Sequence, residues 1–208
     1  MEKTPPEDAW SSPATVQDAL DVLTDMHPAW TAMIEHADEV RVFNLWFRKP
    51  VPTMASGRAV VIGDAAHPMM PTHAQGGCMS LEDAAAFETF FAKSHFGPKD
   101  TVVDRLRLYN QFRLPRITVT TIVSNAMFYR QGSDSTMEGE VGKVYSGSLP
   151  TSLEAWTPEI RSFLYGYNVF YQAARAIEFK DAPEELPENA VQHFWSRDET
   201  LSPVMNSP

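Results

Sequence analysis

Helical spacing of apolar residues first appears at Val16, Ala19, Leu20 and Leu23, behind the capping candidates Ser12 and Thr15. Pro28 ends that helix and opens a short second one through Trp30, Met33 and Ile34. Residues 41–47 are rich in Val, Phe, Leu and Trp and predict a strand, closed by Pro50 and Pro52. Residues 59–62 are wholly apolar, the pattern of a short strand buried on both faces. A helix is predicted over 80–93, with Leu81, Ala84, Ala85, Phe87, Phe91 and Ala92 as its buried side. Ser80 and Asp83 have the spacing of a capping box, with Asp in place of Glu or Gln. Over 102–130, Val103, Leu106, Tyr109, Phe112, Ile117, Ile122 and Met127 recur near helical spacing, and Pro115 predicts a break or kink. Residues 131–148 are polar with four glycines and predict a loop. An aromatic-rich helix is predicted over 158–179. Acidic, proline-bearing sequence follows, with one short helix around 190–195.

The pattern divides the chain into a flexible N-terminus over 1–14, a principal domain over 15–130, a loop and helical region over 131–180, and a loose acidic tail over 181–208. A length of 208 residues with 43% hydrophobic and 21% charged residues suits a globular protein with a real core. The net charge of −10 argues against nucleic acid and against polybasic membrane contact. There is no apolar run of transmembrane length and no signal-peptide pattern at the start. The single cysteine, Cys78, cannot form an internal disulfide, so a reducing, cytoplasmic setting is expected.

Chemistry concentrates in residues 57–83, GRAVVIGDAAHPMMPTHAQGGCMSLED. Gly63 and Asp64 follow a predicted strand, where ligands bind in open sheets. Gly63 lets the backbone turn, and Asp64 offers a carboxylate to a hydroxyl donor; the competing reading is an Asp that caps a turn. Pro68 and Pro71 stiffen the next loop. Gln75, Gly76 and Gly77 then leave backbone N–H groups uncovered near a helix start, either to hold negative charge or to relieve strain in a tight loop. His67, His73, Cys78 and Asp64 match no standard zinc spacing, and no GxSxG elbow accompanies His67, so neither a metal site nor a catalytic nucleophile is expected. Cys78 reads as a low-pKa thiol near a helix start or as a small packed residue.

These residues resemble the second flavin motif of FAD-dependent aromatic monooxygenases, the salicylate- and para-hydroxybenzoate-hydroxylase-like family, whose pattern is roughly GRVxLxGDAAHPxxPxxxQGxxxxxEDAxxL. Gly57, Arg58, Gly63, Asp64, Ala65, Ala66, His67, Pro68, Pro71, Gln75, Gly76, Glu82, Asp83 and Ala84 fall on it. Arg48 and Pro50 before the motif, and Arg113, Pro115 and Arg116 after it, agree with the family. Ala74 stands where the family often has glycine, and Gly77-Cys78 where it often has Ala-Asn. The resemblance is strongest over 41–116 and is closest to fungal secondary-metabolism members.

The resemblance implies an α/β fold: the C-terminal part of a flavin monooxygenase, with short strands, mostly helices and an incomplete dinucleotide-binding domain. It implies that Asp64 hydrogen-bonds the ribityl or ribose region of FAD, and that the Gln75-Gly76-Gly77 backbone faces the pyrimidine side of the flavin ring. Pro71, with Pro68, fixes the loop, and the helix beyond stabilises negative charge at the ring edge. NAD(P)H is the implied transient donor, an aromatic or polycyclic small molecule the substrate, and hydroxylation or epoxidation the reaction. No side chain of the stretch is required as a catalytic nucleophile. No GxGxxG occurs in the chain. The expectation is therefore a truncated member that binds FAD poorly alone and forms a homo-oligomer or pairs with a complementary chain. The alternatives are a non-catalytic half-fold and a flavin-free small-molecule binding protein.

Overall fold

The computed structural model describes residues 10–126, 137–143, 145, 150 and 152–180, and the chain divides into two units, 1–46 and 47–208. In the first unit, β1 (Ser11–Ala14) pairs antiparallel with β2 (Val40–Phe43), Ser11 opposite Phe43 and Ala14 opposite Val40. Two short helices join them, α1 (Val16–Val22) and α2 (Pro28–Ile34). Thr15 caps α1 reciprocally: its hydroxyl accepts from the Asp18 N–H, and the Asp18 carboxylate accepts from the Thr15 N–H. His27 caps α2, and Pro28 occupies the first turn, where its missing N–H is harmless. Ser11–Ala14 fall in the segment expected to be flexible. A Ser-Ser-Pro-Ala strand has no apolar alternation, and only its pairing with β2 defines it. The strand expected over 41–47 is shorter, ending at Phe43.

The second unit opens with a hairpin, β3 (Ala55–Ser56) against β4 (Ala59–Val60). Its two-residue turn has Gly57 at φ +57°, the left-handed conformation a primed hairpin turn demands at its first position. The Asn110 side-chain oxygen accepts from the Met54 N–H at 2.7 Å and ties the hairpin down. The expected doubly buried strand over 59–62 is thus corrected: only Ala59 and Val60 pair, and Val61 and Ile62 are each 43% exposed.

Helix α3 (Gly76–Phe91) begins four residues earlier than the sequence pattern places it, with Gln75 at its N-cap. Ser80 is therefore no cap. Its hydroxyl donates back to the Gly76 carbonyl, and Asp83 turns inward rather than closing a capping box. The buried face is Met79, Asp83, Ala86 and Phe90, whereas Leu81 is 73% exposed. Counting apolar residues alone rotates the helix the wrong way, because a charged Asp is its most constrained inward residue.

Helix α4 (Val102–Ser124) starts at a Thr101–Asp104 capping box and continues through Pro115, so of the expected break or kink the break does not occur. An interior proline costs a helix roughly 3 kcal/mol. Here the buried Arg113 and Arg116 on either side anchor the turn to α3. The region expected as a loop contains α5 (Met137–Gly142), and most of its other residues lie outside those described. The single helix expected over 158–179 is two, α6 (Pro158–Tyr165) and α7 (Val169–Glu178). Gly166 ends the first, and the Asn168 side chain caps the second by accepting from the Tyr171 N–H at 3.0 Å. The expected tail, 181–208, lies outside the described residues.

Two apolar clusters hold the unit. One packs α3, α4 and α7 around Phe90, Tyr109 and Phe112, with Phe90 5.3 Å from the Phe112 ring and edge-on to Tyr109. The other packs the second half of α4 on α5 and α6 through Val119, Val123, Val141, Ile160 and Leu164. Each such side chain contributes about 1.5–3 kcal/mol on burial. No described helix is long and apolar enough to cross a membrane. The architecture is short strands with mostly helices.

Candidate functional site

Asp83 is the hub. Its carboxylate lies fully buried and accepts from the Gly63 N–H at 2.9 Å, His67 Nε2 at 2.7 Å and Arg113 Nε at 2.9 Å. Arg113 also donates to Glu82 at 2.8 Å, and Arg116 grips both Glu82 oxygens at 2.7 and 3.1 Å and donates to the Leu164 carbonyl. The Arg116 guanidinium stacks over Tyr167 at 4.3 Å. Both arginines are fully buried, an arrangement viable only when their charge is paired. Burial alone would raise the Asp83 carboxyl, but the His67 hydrogen bond, the Arg113 charge and the Gly63 amide hold it below the usual carboxylate range. Burial would likewise lower Arg113, and Glu82 and Asp83 reverse the effect, so the pair stays ionised.

This network aims one segment. Gly63 has φ +59°, and a Cβ there would stand 3.2 Å from the Ser80 hydroxyl. Glycine is required both by the backbone and by the close approach of α3. Residues Gly63–Ala65 form one 3-10 turn, and Arg48 donates to the carbonyls of Ala65 and Ala66 from outside. Asp64, on that turn, is exposed. Because Ser80 is one helical turn beyond Gly76, the Asp64 turn and the start of α3 stand side by side.

The loop into α3 is pinned from three directions. Asn125 accepts from the Met70 N–H at 2.9 Å, Thr72 donates to the Ser124 carbonyl at 2.6 Å, and Tyr165 Oη donates to the His73 carbonyl at 2.8 Å. Pro71 opens a second 3-10 turn, Pro71–His73, and is exposed; Ala74 closes it in the left-handed region at φ +51°. Burial pushes the His73 imidazole below its usual pKa, with the Leu153 carbonyl pulling part-way back.

Gln75, Gly76 and Gly77 are then the cap and first two residues of α3. The N–H groups of a helix's first turn have no intrahelical acceptor and lie at the positive end of its dipole. A Cβ at Gly76 or Gly77 would meet nothing within 4 Å, so this turn is open. The Gln75 side chain is buried, and its amide nitrogen has no hydrogen-bond partner among the described residues. An exposed carboxylate and an open first helical turn, with the unpartnered Gln75 amide buried behind them, fit a ligand that is hydroxyl-bearing along its length and electron-rich at one rim. A ribityl flavin has that chemistry.

The sequence reading named Asp64, Pro71, Gln75, Gly76 and Gly77, and the fold brings all five to this turn and loop. It placed Asp83, Arg113 and Arg48 on or beside the motif without giving them these roles, and it gave Tyr165 none. The adjacent Glu82-Asp83 pair and two arginines three apart on a buried helix were the available signal. Met69 and Phe87 pack against the core, Phe87 stacking on Phe91 at 4.3 Å. Cys78 is exposed. Among the described residues no cluster of three His, Cys, Asp or Glu side chains could hold a metal.

Residues 2–123, more than half of the chain, match the FAD-binding domain family. The chain belongs to that family. Its relatives include proteins named as FAD-dependent monooxygenases and as hydroxylases. They include FAD-dependent monooxygenase phomE of Diaporthe leptostromiformis, 26% identical over 76% of this chain and 40% of its own length. Another is 3-hydroxybenzoate 6-hydroxylase 1 of Aquipseudomonas alcaligenes, 30% identical over 74% of this chain and 37% of its own length. A solved salicylate hydroxylase substrate complex superposes with a TM-score of 0.57 at 23% identity, over 84% of this chain and 40% of that one. The crystal structure of FqzB does so with a TM-score of 0.56 at 25% identity, over 88% and 43%. This FAD-binding-family chain thus spans about two fifths of the length of the relatives it matches.

Proposed function

We propose that this chain supplies the flavin-ring side of an FAD-dependent monooxygenase that hydroxylates or epoxidises an aromatic or polycyclic small molecule in secondary-metabolite formation. The GxGxxG cradle comes from outside these residues. One observation supports the reading: Asp83, on α3, accepts from the Gly63 N–H at 2.9 Å, which ties the turn bearing the exposed Asp64 to the helix that opens at Gly76. Bound FAD would supply the redox chemistry, fed by NAD(P)H and consuming O₂.

The protein's own part is binding and electrostatics. Asp64 accepts a hydrogen bond from a ribityl or ribose hydroxyl. The Gly76 and Gly77 N–H groups and the α3 dipole favour negative charge at the ring edge, where a preorganised donor costs no reorganisation. The anchors at Ser124, Asn125 and Tyr165 keep those donors in place. No side chain of this wall acts as nucleophile. The substrate class is supported by relatives named for ring hydroxylation, among them a 6-hydroxynicotinate 3-monooxygenase and a hispidin-3-hydroxylase. The secondary-metabolite setting is supported by fungal relatives from Diaporthe and Aspergillus. The exposed apolar Val61 and Ile62 support a covering partner, since apolar chain at a strand end is ordinarily buried.

Reconstitution tests it. A GxGxxG-bearing N-terminal chain from a fungal relative is added to this one, and NADH or NADPH oxidation is followed with a panel of phenolic substrates. Oxidation that needs both chains is expected. Full activity of the added chain alone would remove the role proposed here.

A further inference from the structure

The Tyr165 hydroxyl holds the His73 carbonyl, while its ring forms one side of an open cleft of about 720 Å³. Trp156, Pro158, Arg161, Ser162 and Gly166 are the other described residues of the lining. That volume is in the range of small-molecule sites.

Trp156 is the anomaly. It sits at φ +70°, a left-handed conformation that bulky residues adopt rarely and at a cost. Its indole is nevertheless 60% exposed and belongs to neither apolar cluster. Arg161, on α6, adds a second unused group. Its guanidinium makes no hydrogen bond or ion pair with another described residue, although the chain carries net charge −10. The exposed Arg41 and Arg107 and the half-buried Arg175 pair with carboxylates. Among the described residues no carboxylate lines the cleft, so Arg161 has no described partner there.

We infer that this cleft is a second small-molecule site, for a flat aromatic anion. The Trp156 and Tyr165 rings offer faces for stacking, and the Arg161 fork matches a carboxylate or phosphate. An aromatic acid and a purine nucleotide share that chemistry. The site shares only Tyr165 with the anchors of the Asp64 wall, through its ring rather than its hydroxyl, and does not rest on the flavin reading.

Calorimetric titration of the full chain, without flavin, tests it with 2-naphthoate, adenosine 5′-monophosphate and neutral 2-naphthamide. One of the two anions binds with a Kd below about 1 mM, and 2-naphthamide binds at least about tenfold more weakly. Arg161→Gln and Trp156→Ala each weaken the anion about tenfold or more with the melting temperature retained, since both side chains are exposed. Asp64→Ala leaves the affinity unchanged. The tighter of the two anions identifies the source. Absence of binding by both anions, binding that survives both cleft substitutions, or binding abolished by Asp64→Ala overturns the inference.

Discussion

Ala74 shows how much one backbone angle decides. The family often has glycine at this position, and the fold supplies the reason: the residue closes the Pro71–His73 turn at φ +51° and ψ +34°. Alanine there costs about 1 kcal/mol relative to glycine. Ala74→Gly is expected to raise stability by up to about that amount, less the entropy that glycine adds to the unfolded chain. Urea unfolding checks it; a clear loss of stability would contradict the strained-turn account. Asp83 and His73 make stability pH-dependent with the same sign. The Asp83 carboxyl titrates below its ordinary value in the folded protein, so its contribution is complete above about pH 4 and is lost as pH falls through the lower folded value. Burial holds His73 below its ordinary value, so the unfolded chain takes up that proton first and stability falls as pH drops below about 6.5. Urea midpoints should therefore decline from pH 7 to pH 5, and decline less in His73→Gln. An identical slope in the variant would exclude His73 as the cause.

At the scale of elements, α3 separates what a pattern can reveal from what it cannot. Its existence was legible in the alternation of Leu81, Ala84, Ala85 and Phe87 with polar residues, and Gly76 and Gly77 were legible as part of a motif. Its start and its buried face were not. Both depend on Asp83 pointing inward, and that depends on His67, Arg113 and Gly63, which approach from distant sequence. Pro115 misleads for a related reason: local propensity favours a break, and the ion pairs of Arg113 and Arg116 to α3 outweigh it. The break at Gly166, by contrast, hides within a run of aromatic residues. The openness of the first α3 turn makes a discriminating prediction. Gly77→Val places its side chain in free space, so the unliganded chain should keep its stability within about 1 kcal/mol. Flavin affinity of the reconstituted protein should drop by at least about tenfold, read by flavin fluorescence. Unchanged affinity would mean that the open turn does not face the ring.

For the whole molecule, fold class came from the motif more than from periodicity. The string from Gly57 to Ala84 is long enough to identify the flavin monooxygenase architecture, and the family match over residues 2–123 agrees. The strand β1 was illegible because Ser11–Ala14 carries no signal without its partner. The exposure of Val61 and Ile62 was illegible because an apolar run looks the same whether or not something covers it. The central claim is that Asp64 and the first turn of α3 together hold the flavin. Its most direct test is a flavin titration of this chain with the complementary GxGxxG-bearing chain, comparing the unaltered sequence with Asp64→Ala. The account predicts that Asp64→Ala weakens FAD binding at least about tenfold while the melting temperature of the free chain is unchanged. Equal FAD affinity in the two proteins would contradict it.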